Sequence, residues 1–294
     1  MLLRQLEYFV AVCEELHFTR AAEKLGITQP SLSQQIRELE HEMGTPLFDR
    51  IGKKISITSS GKLLLEHSQK IFQELEEAHI AISELNGLQK GHIKIGSLLT
   101  VVNYLLPPTV IEFRSIYPGI KLSILGLRTV DIYSKLLEGD LDIGVVSLPV
   151  MDDRFEFISL YSEEISLAVS VNHELSNEDS LSLEILKTTD SILPPTHYYL
   201  RQAINESCKM LGFEPKPVLE MTTMESIINM VKQNVGVSVL PRPYLDYLKN
   251  KDIKIIPITA PAPTREIGII YQKEKYLSLA VREFIKQLEK RPLA

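Results

Sequence analysis

The feature that most constrains the fold is a change of pattern between Gly87 and Gly91. Before it, apolar residues recur mainly at helical spacing, and after it strand-like runs alternate with helical stretches. The strand-like runs are residues 92–98, 121–127, 141–147, 165–171 and 235–240. The helical stretches are residues 101–116, 129–138, 198–211 and 223–233. Because this alternation is typical of α/β folds, we predict an α/β domain with mostly parallel sheets in this part of the chain.

Length and composition predict a two-domain protein of the cytoplasm. The 294 residues suffice for two domains, no apolar run approaches the roughly 18 residues of a membrane span, and the first residues lack the apolar core of a signal peptide. The two cysteines, Cys13 and Cys208, are far apart and belong to no CxxC or Cys/His pattern. We therefore expect no metal site, no cofactor and no disulfide framework.

Three helices are predicted before residue 45, over residues 2–16, 19–25 and 29–43. Thr19 and Thr28 are suited to cap the second and third helices, and Pro30 falls in the first turn, where proline is tolerated. Gly26 and Gly44 interrupt the helical pattern after each of these two helices. Two helices joined by a short glycine-containing turn are typical of a helix-turn-helix.

The third of these helices carries polar side chains opposite its apolar face, which contains Leu32 and Ile36. The polar face consists of Gln29, Ser33, Gln34 and Arg37, spaced so that they point the same way. Glutamine can read adenine, arginine can read guanine, and serine can contact either base. Such a face is what a recognition helix presents to the major groove of DNA.

Residues 45–58 predict a β-hairpin, or wing, in which Gly52-Lys53-Lys54 forms the turn and Ile55 and Ile57 alternate. Residues 1–62 contain eight Lys/Arg and eight Asp/Glu, but residues 48–62 contain four cations and one acid. A wing that touches DNA phosphates would need this local excess of positive charge. The alternative is a charged hairpin that faces only solvent.

A long helix is predicted from Ser59 to about Leu88. Its apolar positions, in alternating steps of four and three, are Leu64, Ile71, Leu75, Ala78, Ile82 and Leu85, with Ser68 as the one polar exception. This heptad spacing is suited to contact with a second helix, so we expect these residues to form a dimerisation seam. The alternative is an amphipathic helix packed on its own domain.

The run FTRAAEKLGITQPSLSQQIRELEHEMGTPLFDRIGKKISITSSG resembles the N-terminal signature of LysR-type transcriptional regulators. The positions that carry the resemblance include the Ala21-Ala22 pair, Gln29-Pro30-Ser31, Ser33-Gln34-Gln35-Ile36, Leu39-Glu40, Gly44, Pro46-Leu47-Phe48, Arg50, Thr58 and Gly61. A weaker but continuous match covers the rest of the chain, through Leu105-Leu106-Pro107, Phe113, Tyr117-Pro118, Leu137, Gly139-Asp140-Leu141-Asp142 and Gly236-Val237-Ser238-Val239-Leu240-Pro241.

The resemblance implies three parts: a winged helix-turn-helix domain (1–58), a linker helix for dimerisation (59–90) and an effector-binding regulatory domain (91–294). The regulatory domain is implied to have two α/β lobes, as in periplasmic binding proteins, with an effector between them. Lobe one would comprise residues 91–162 and 266–294, and lobe two residues 163–265. Members of this family are usually tetramers that assemble through the linker helix and the regulatory domains, so we expect self-association as a dimer or homotetramer. The resemblance also implies binding to interrupted dyad sites in double-stranded promoter DNA, and RNA polymerase is a further candidate partner.

The DNA contacts that we expect combine the polar face of the third helix with neighbouring residues and the wing. They are Arg20, Gln29, Pro30, Ser31, Ser33, Gln34, Arg37, Arg50, Lys53 and Lys54.

Effector contacts are expected where strands end and helices begin, because exposed N–H groups and hydroxyls there can hold an anion. The expected residues are Ser97, Leu98, Leu99, Thr100, Gly126, Leu127, Ser147, Thr196, His197, Thr222 and Thr223. We expect a small organic anion as the effector. Two simpler interpretations stay open: Thr100 is only the N-cap of a helix that begins near Val101, and His197 is only a surface histidine.

Two other classes of protein compete with this interpretation. A plain solute-binding protein would need a signal peptide and would have no DNA-binding module. For an enzyme, the sequence offers no G-x-S-x-G, P-loop or HExxH motif and no plausible Ser/His/Asp set. The two distant cysteines also disfavour a redox sensor that depends on a close pair of thiols.

Overall fold

A computed structural model describes residues 1–51, 54–84 and 91–290. The chain forms two compact units, Met1–Ser83 and Glu84–Ala294. Of the predicted site residues, Lys53 and Leu85 lie outside the described residues, as do most of the predicted wing turn and the end of the linker helix. Arg50 and Lys54 are described by their backbone alone.

The first unit begins with three helices: α1 (Leu3–Glu15), α2 (Phe18–Leu25) and α3 (Gln29–Met43). As predicted, the Thr28 side chain accepts a hydrogen bond from Ser31 N, and Gly26 and Gly44 have the positive φ of left-handed helix ends. The cap predicted at Thr19 is wrong. Helix α2 starts one residue earlier, where the His17 ring accepts the Arg20 N–H, because Phe18 is buried in the core.

An antiparallel hairpin and a long helix complete this unit: β1 (Phe48–Ile51), β2 (Lys54–Ile57) and α4 (Ser59–Glu84). The Glu40 carboxylate accepts the Leu47 and Phe48 N–H groups at 2.9 and 3.2 Å, which ties the hairpin to α3. Gly61 is required by close packing, because a Cβ atom there would clash with the Leu47 carbonyl oxygen. The hairpin and the first turn of α4 are therefore fixed against the three-helix core.

The second unit contains nine strands and six α-helices among its described residues. The strands are β3 (Gly91–Leu98), β4 (Ile120–Leu127), β5 (Ile143–Leu148), β6 (Phe155–Ser170), β7 (Ile192–Leu193), β8 (Leu219–Glu220), β9 (Ser238–Pro241), β10 (Ile253–Ile256) and β11 (Thr264–Gln272). The helices are α5 (Leu106–Ile116), α6 (Thr129–Leu137), α7 (Tyr199–Met210), α8 (Met224–Lys232), α9 (Arg242–Leu248) and α10 (Leu279–Glu289).

Two lobes share the long strand β6. Its first part pairs with β11, which in turn pairs with β5, and the order continues through β3 to β4. Its last part pairs with β9 and β10, next to which the short pair β7–β8 forms. The chain therefore passes from lobe one to lobe two along β6 and returns along β11.

The expectation of mostly parallel sheets is wrong. Strand β3 is parallel to β4 and β5, as predicted for strands linked by helices. However, β6 is antiparallel to each of its three partners, and β11 is antiparallel to β5. The difference arises because the two strands that cross between the lobes run in opposite directions through one sheet.

Helix α5 begins at Leu106 rather than near Val101. Pro107 and Pro108 lack the N–H that a helix interior needs and therefore mark the first turn. The preceding segment, residues 99–105, consists of turns, in which Val101 and Val102 donate backbone hydrogen bonds to the Leu98 carbonyl. Thr100 is consequently not an N-cap. Because this segment is not helical, its side chains can extend into the space between the lobes.

Each lobe of the second unit, Glu84–Ala294, which is called the regulatory unit from here on, has its own buried helix and sheet contacts. In lobe one, Phe113 of α5 packs edge-on against Phe284 of α10, with ring centroids 5.2 Å apart. In lobe two, Ile227 and Val231 of α8 are buried. Within the described residues, every helix is too short or too polar to cross a membrane.

Candidate functional site

The exposed face of α3 presents most of the polar residues predicted to contact DNA. Gln29, Pro30, Ser31, Gln34 and Arg37 are all exposed, whereas the apolar face of the helix is fully buried. Helix α3 therefore offers a continuous polar surface of the kind that a recognition helix presents to DNA.

Hydrogen bonds within α3 orient this surface. Arg37 Nη2 donates to Gln34 Oε1 at 3.1 Å, and Gln34 Nε2 donates to Glu38 Oε1 at 2.9 Å. Gln35 Nε2 also donates to Glu38, at 2.9 Å. Glu38, which the sequence analysis did not single out, thus connects the two glutamines, and its signal was its position four residues after Gln34.

Two predicted DNA contacts have different surroundings. Ser33 is buried, and its hydroxyl accepts a hydrogen bond from Gln29 Nε2 at 2.7 Å, because it lies next to Leu32 on the inner edge of α3. Arg20 is exposed but pairs with Glu15, whose backbone carbonyl oxygen accepts from Arg20 Nη2 at 2.5 Å. A DNA phosphate would have to compete with Glu15 for this guanidinium.

Helix α4 exposes apolar side chains along the predicted seam. Leu75, Ala78 and Ile82 are exposed, and Ile71 is half-buried. At the start of the helix, Leu64 instead packs against the core of the first unit, and the buried Ser68 hydroxyl donates to the Leu64 carbonyl at 2.7 Å. The polar exception in the heptad pattern is thus satisfied within the helix.

A cavity of about 320 Å³ lies between the two lobes of the regulatory unit. Lobe one contributes the end of β3 and the start of α6, and lobe two contributes the start of α7. The lining residues are Leu98, Leu99, Thr100, Leu127, Arg128, Thr129, Val130, His197, Tyr198, Tyr199, Leu200 and Arg265. A second, smaller cavity of about 130 Å³ lies near the end of α9 and lacks this convergence of elements.

A buried ion pair borders the cavity at the point where the chain crosses between the lobes. Arg265 of β11 and Glu163 of β6 face each other in the strand register, and their side chains are only 1% and 0% exposed. Arg265 Nε and Nη2 both contact Glu163 Oε1. The Tyr104 hydroxyl donates to Glu163 Oε2 at 2.6 Å. The carboxylate is thus held by both neighbours.

Arg265 also reaches the predicted effector residue Thr100. Its Nη1 donates to the Thr100 hydroxyl at 3.0 Å. Nη1 carries two hydrogens, and among the contacts of the described residues the second has no partner. Arg265 is also one of the residues that line the cavity, although its side chain is only 1% exposed.

Two buried groups of this cluster, Arg265 and Tyr104, keep their usual protonation states at neutral pH. Burial opposes the charge of Arg265, but the attraction and hydrogen bond of Glu163, together with the nearby Tyr104 and Tyr161, raise the pKa of Arg265 above its usual value. Burial raises the pKa of the Tyr104 hydroxyl, which therefore remains a donor. The pair as a whole is neutral, which is how a buried charge is tolerated.

Two helix N-termini point to the same cavity from opposite lobes. Helix α6 begins at Thr129 and α7 at Tyr199, and among the described residues no side chain caps either start. By contrast, the Thr223 hydroxyl caps α8, accepting the Ser226 N–H at 3.2 Å. Uncapped N–H groups and the positive end of the helix dipole favour an anion.

The predicted effector residues separate into three groups. Leu98, Leu99, Thr100, Leu127 and His197 line the cavity. Three others adjoin the lining: a Cβ on Gly126 would lie 2.6 Å from Leu99 Cδ2, Ser97 is buried in β3, and Thr196 precedes His197 in the chain. The remaining three, Ser147, Thr222 and Thr223, are not among the lining residues.

Ser147 and Thr223 have other surroundings. The Ser147 hydroxyl is buried and has no hydrogen-bond partner among the described residues. Thr223 bonds to Ser226 and acts as a helix cap. Sequence reasoning missed Arg265, Glu163, Tyr104 and Tyr199, since local patterns do not reveal that residues 51 to 165 positions apart meet.

The two cysteines are buried, one in each unit. Burial raises the pKa of Cys13 to about 12 and that of Cys208 to about 11. Both thiols therefore remain protonated at neutral pH, and a reactive thiol requires the opposite shift.

Two family models together match nearly the whole chain. Residues 3–62 match the bacterial regulatory helix-turn-helix protein, lysR family, and residues 86–292 match the LysR substrate binding domain. The first range contains α1 to the start of α4, and the second contains both lobes and the cavity.

Individual proteins extend this similarity over the full length. A hydrogen peroxide-inducible genes activator of Haemophilus influenzae is 30% identical over 92% of this chain and 91% of its own. The uncharacterized HTH-type transcriptional regulator YybE of Bacillus subtilis is 31% identical over 96% of each chain. A full-length OxyR variant of Pseudomonas aeruginosa superimposes with a TM-score of 0.78 at 25% identity, covering 100% of this chain and 96% of that one. The chain belongs to the LysR family of DNA-binding transcription regulators with an effector-binding domain.

Proposed function

We propose that the protein binds promoter DNA through α3 and that a small organic anion in the interlobe cavity changes this binding. One observation carries the proposal: a polar recognition helix and a cavity bordered by two lobes occur in the same chain. The cavity would bind the effector, and binding would favour one arrangement of the two lobes over another.

The DNA-binding part of the proposal rests on Gln34 and Arg37. They are exposed, lie one turn apart and are joined by a hydrogen bond, so that both can enter one groove. Because one winged module covers only half of a dyad site, we further propose that the exposed residues of α4 join two copies of the chain.

The effector part rests on the charge and shape of the cavity. The positive ends of α6 and α7 and the Nη1 donor of Arg265 would bind an anionic group. The leucines at 98, 99 and 127 would cover an apolar body. A volume of about 320 Å³ is at the lower end for ligand pockets, which favours a small molecule.

We also propose that the protein acts in the cytoplasm as a regulator without catalytic activity, and that its response does not use thiol oxidation. Some relatives are named for induction by hydrogen peroxide. Here each unit contains one cysteine, and both are buried and protonated. The cavity lining includes Tyr199, His197 and Arg265, and no cysteine is among the lining residues.

A gel-shift titration of the full chain tests the DNA-binding part. The probe is a duplex from the region upstream of its own gene, and the control is a scrambled duplex of equal composition. Preferential binding of the upstream duplex supports the proposal, whereas equal binding of both contradicts it. A thermal-shift screen of small carboxylic acids then tests the effector part, because a molecule that binds the folded state raises its apparent stability.

A further inference from the structure

Tyr199 makes a hydrogen bond between the two lobes. It is the first residue of α7 in lobe two, and its hydroxyl donates to the backbone carbonyl of Leu148 at 2.7 Å. Leu148 is the last residue of β5 in lobe one and is buried. The same tyrosine lines the cavity, so one side chain forms both a wall of the site and a link across it.

Few links of this kind are available among the described residues to hold the lobes together. The main chain crosses only along β6 and β11, and two such strands allow the lobes to change their angle. The Arg265–Glu163 cluster lies on the crossing strands themselves. The Tyr199–Leu148 bond instead joins the start of a lobe-two helix to the end of a lobe-one strand. It therefore resists a movement that the crossing strands permit.

We infer that Tyr199 is a positioning residue for the effector site, whose hydroxyl holds the lobe-two wall of the cavity at its closed distance from lobe one. This inference rests on the proposed function, because it assigns the tyrosine a role in effector binding. A molecule in the cavity would pack against the ring while the hydroxyl remains on Leu148. The site would then be closed before binding, and less of the binding free energy would go into closure.

The state of the hydroxyl is consistent with this role. Burial raises the pKa of Tyr199, so the phenol remains protonated and remains a donor at neutral pH. Because the acceptor is the backbone carbonyl of Leu148, a side-chain rotation cannot remove it. The neighbouring Tyr198 also lines the cavity and makes a ring contact with His197. Across the lobes it has an electrostatic interaction with Arg128 but, among the described residues, no hydrogen bond. It is therefore a matched control.

The experiment compares Tyr199→Phe with Tyr198→Phe in the full chain, without effector and without DNA. Spin labels are attached at Glu138→Cys after α6 in lobe one and at Lys249→Cys after α9 in lobe two, both exposed positions. The native Cys13 and Cys208 are buried and should remain unlabelled. Labelled chains are diluted with unlabelled ones, so that the measured distances lie within one chain.

We expect wild type and Tyr198→Phe to give one narrow distance distribution. Tyr199→Phe should add a second population, because loss of one hydrogen bond shifts the closed–open equilibrium about two- to tenfold. An unchanged distribution in Tyr199→Phe would overturn the inference. Equal broadening in both variants would overturn it as well, because the effect would then come from the cavity wall and not from the hydroxyl.

This test is independent of the proposed function. It uses no DNA and no small molecule, so failure of the Tyr199–Leu148 link leaves the gel-shift and thermal-shift results standing. Conversely, a protein that binds no promoter DNA could still show the Tyr199-dependent distance change.

Discussion

At the scale of single residues, the cavity depends on contacts between side chains far apart in the sequence. Thr100 was expected at an effector site because it follows a strand, and it does line the cavity. Its hydroxyl, however, already accepts a hydrogen bond from Arg265, which is 165 positions away. Thr100 therefore has a structural partner as well as the proposed role toward a ligand.

Replacing Thr100 with valine separates these roles. Thr100→Val keeps the shape but leaves an Arg265 N–H without its acceptor, which should lower the free energy of unfolding by about 1–3 kcal/mol. Urea unfolding measures this change, and Thr100→Ser, which keeps the hydroxyl, is the control. The effector response should weaken too, because Arg265 loses its orientation. Wild-type stability in Thr100→Val would show that the bond to Arg265 contributes nothing.

Arg37 is the most direct test of the recognition surface. Arg37→Ala should weaken binding to the promoter duplex by about 1–3 kcal/mol if the guanidinium contacts a base, with little effect on thermal stability because the side chain is exposed. Fluorescence anisotropy measures the affinity. If Arg37 contacts only phosphate, the loss will be equal on the scrambled duplex. Unchanged affinity in the folded variant would remove Arg37 from the interface. The exposed Lys121→Ala in the regulatory unit is the control.

The buried thiols predict a specific pH dependence. Folding raises the pKa of Cys13 from 9.0 to about 12, so the folded chain holds this proton more tightly than the unfolded chain. The resulting stability is fully present below about pH 9 and decreases as the pH rises toward 12.

At pH 8 a thiol reagent should react with neither cysteine until denaturant is added. Rapid reaction of the native protein would contradict the predicted burial.

At the scale of elements, local patterns predicted those helices and strands whose own sequences contain capping residues or a clear apolar periodicity. Helix α3 has Thr28, Pro30 and Gly44 at its ends, and all three act as predicted. Strand β11 and the first part of β6 were missed, although together they form the crossing between the lobes. Their pairing joins residues about 100 positions apart, and no short-range periodicity reports such a contact.

Helix α4 provides the test of assembly. Leu75→Asp would place a charge in the proposed apolar seam, where an unpaired charge is costly, so the dimer should dissociate and promoter binding should fall. Light scattering measures the oligomeric state. Gln69→Asp is the control, because it adds the same charge to the same helix at an exposed heptad position away from the seam. A wild-type assembly in Leu75→Asp would contradict the seam.

At the scale of the whole molecule, the sequence was sufficient for the family and the two-lobed α/β architecture but not for the site in detail. The chain is acidic, with a net charge of −6, so composition gives no indication of DNA binding. The motif run from Phe18 to Gly61 supplied that indication instead. The ion pair of Arg265 and Glu163 could not be foreseen, because it exists only once both crossing strands are paired.

The central claim is that a small molecule in the interlobe cavity changes DNA binding. It is tested most directly by anisotropy titrations of the labelled promoter duplex with the full chain. The titrations are run with and without a saturating carboxylic acid selected by thermal shift. Coupling of about 1–3 kcal/mol predicts at least a severalfold change in affinity, and by reciprocity the duplex must change the affinity for the acid equally. Superimposable titrations at saturating acid would contradict the claim.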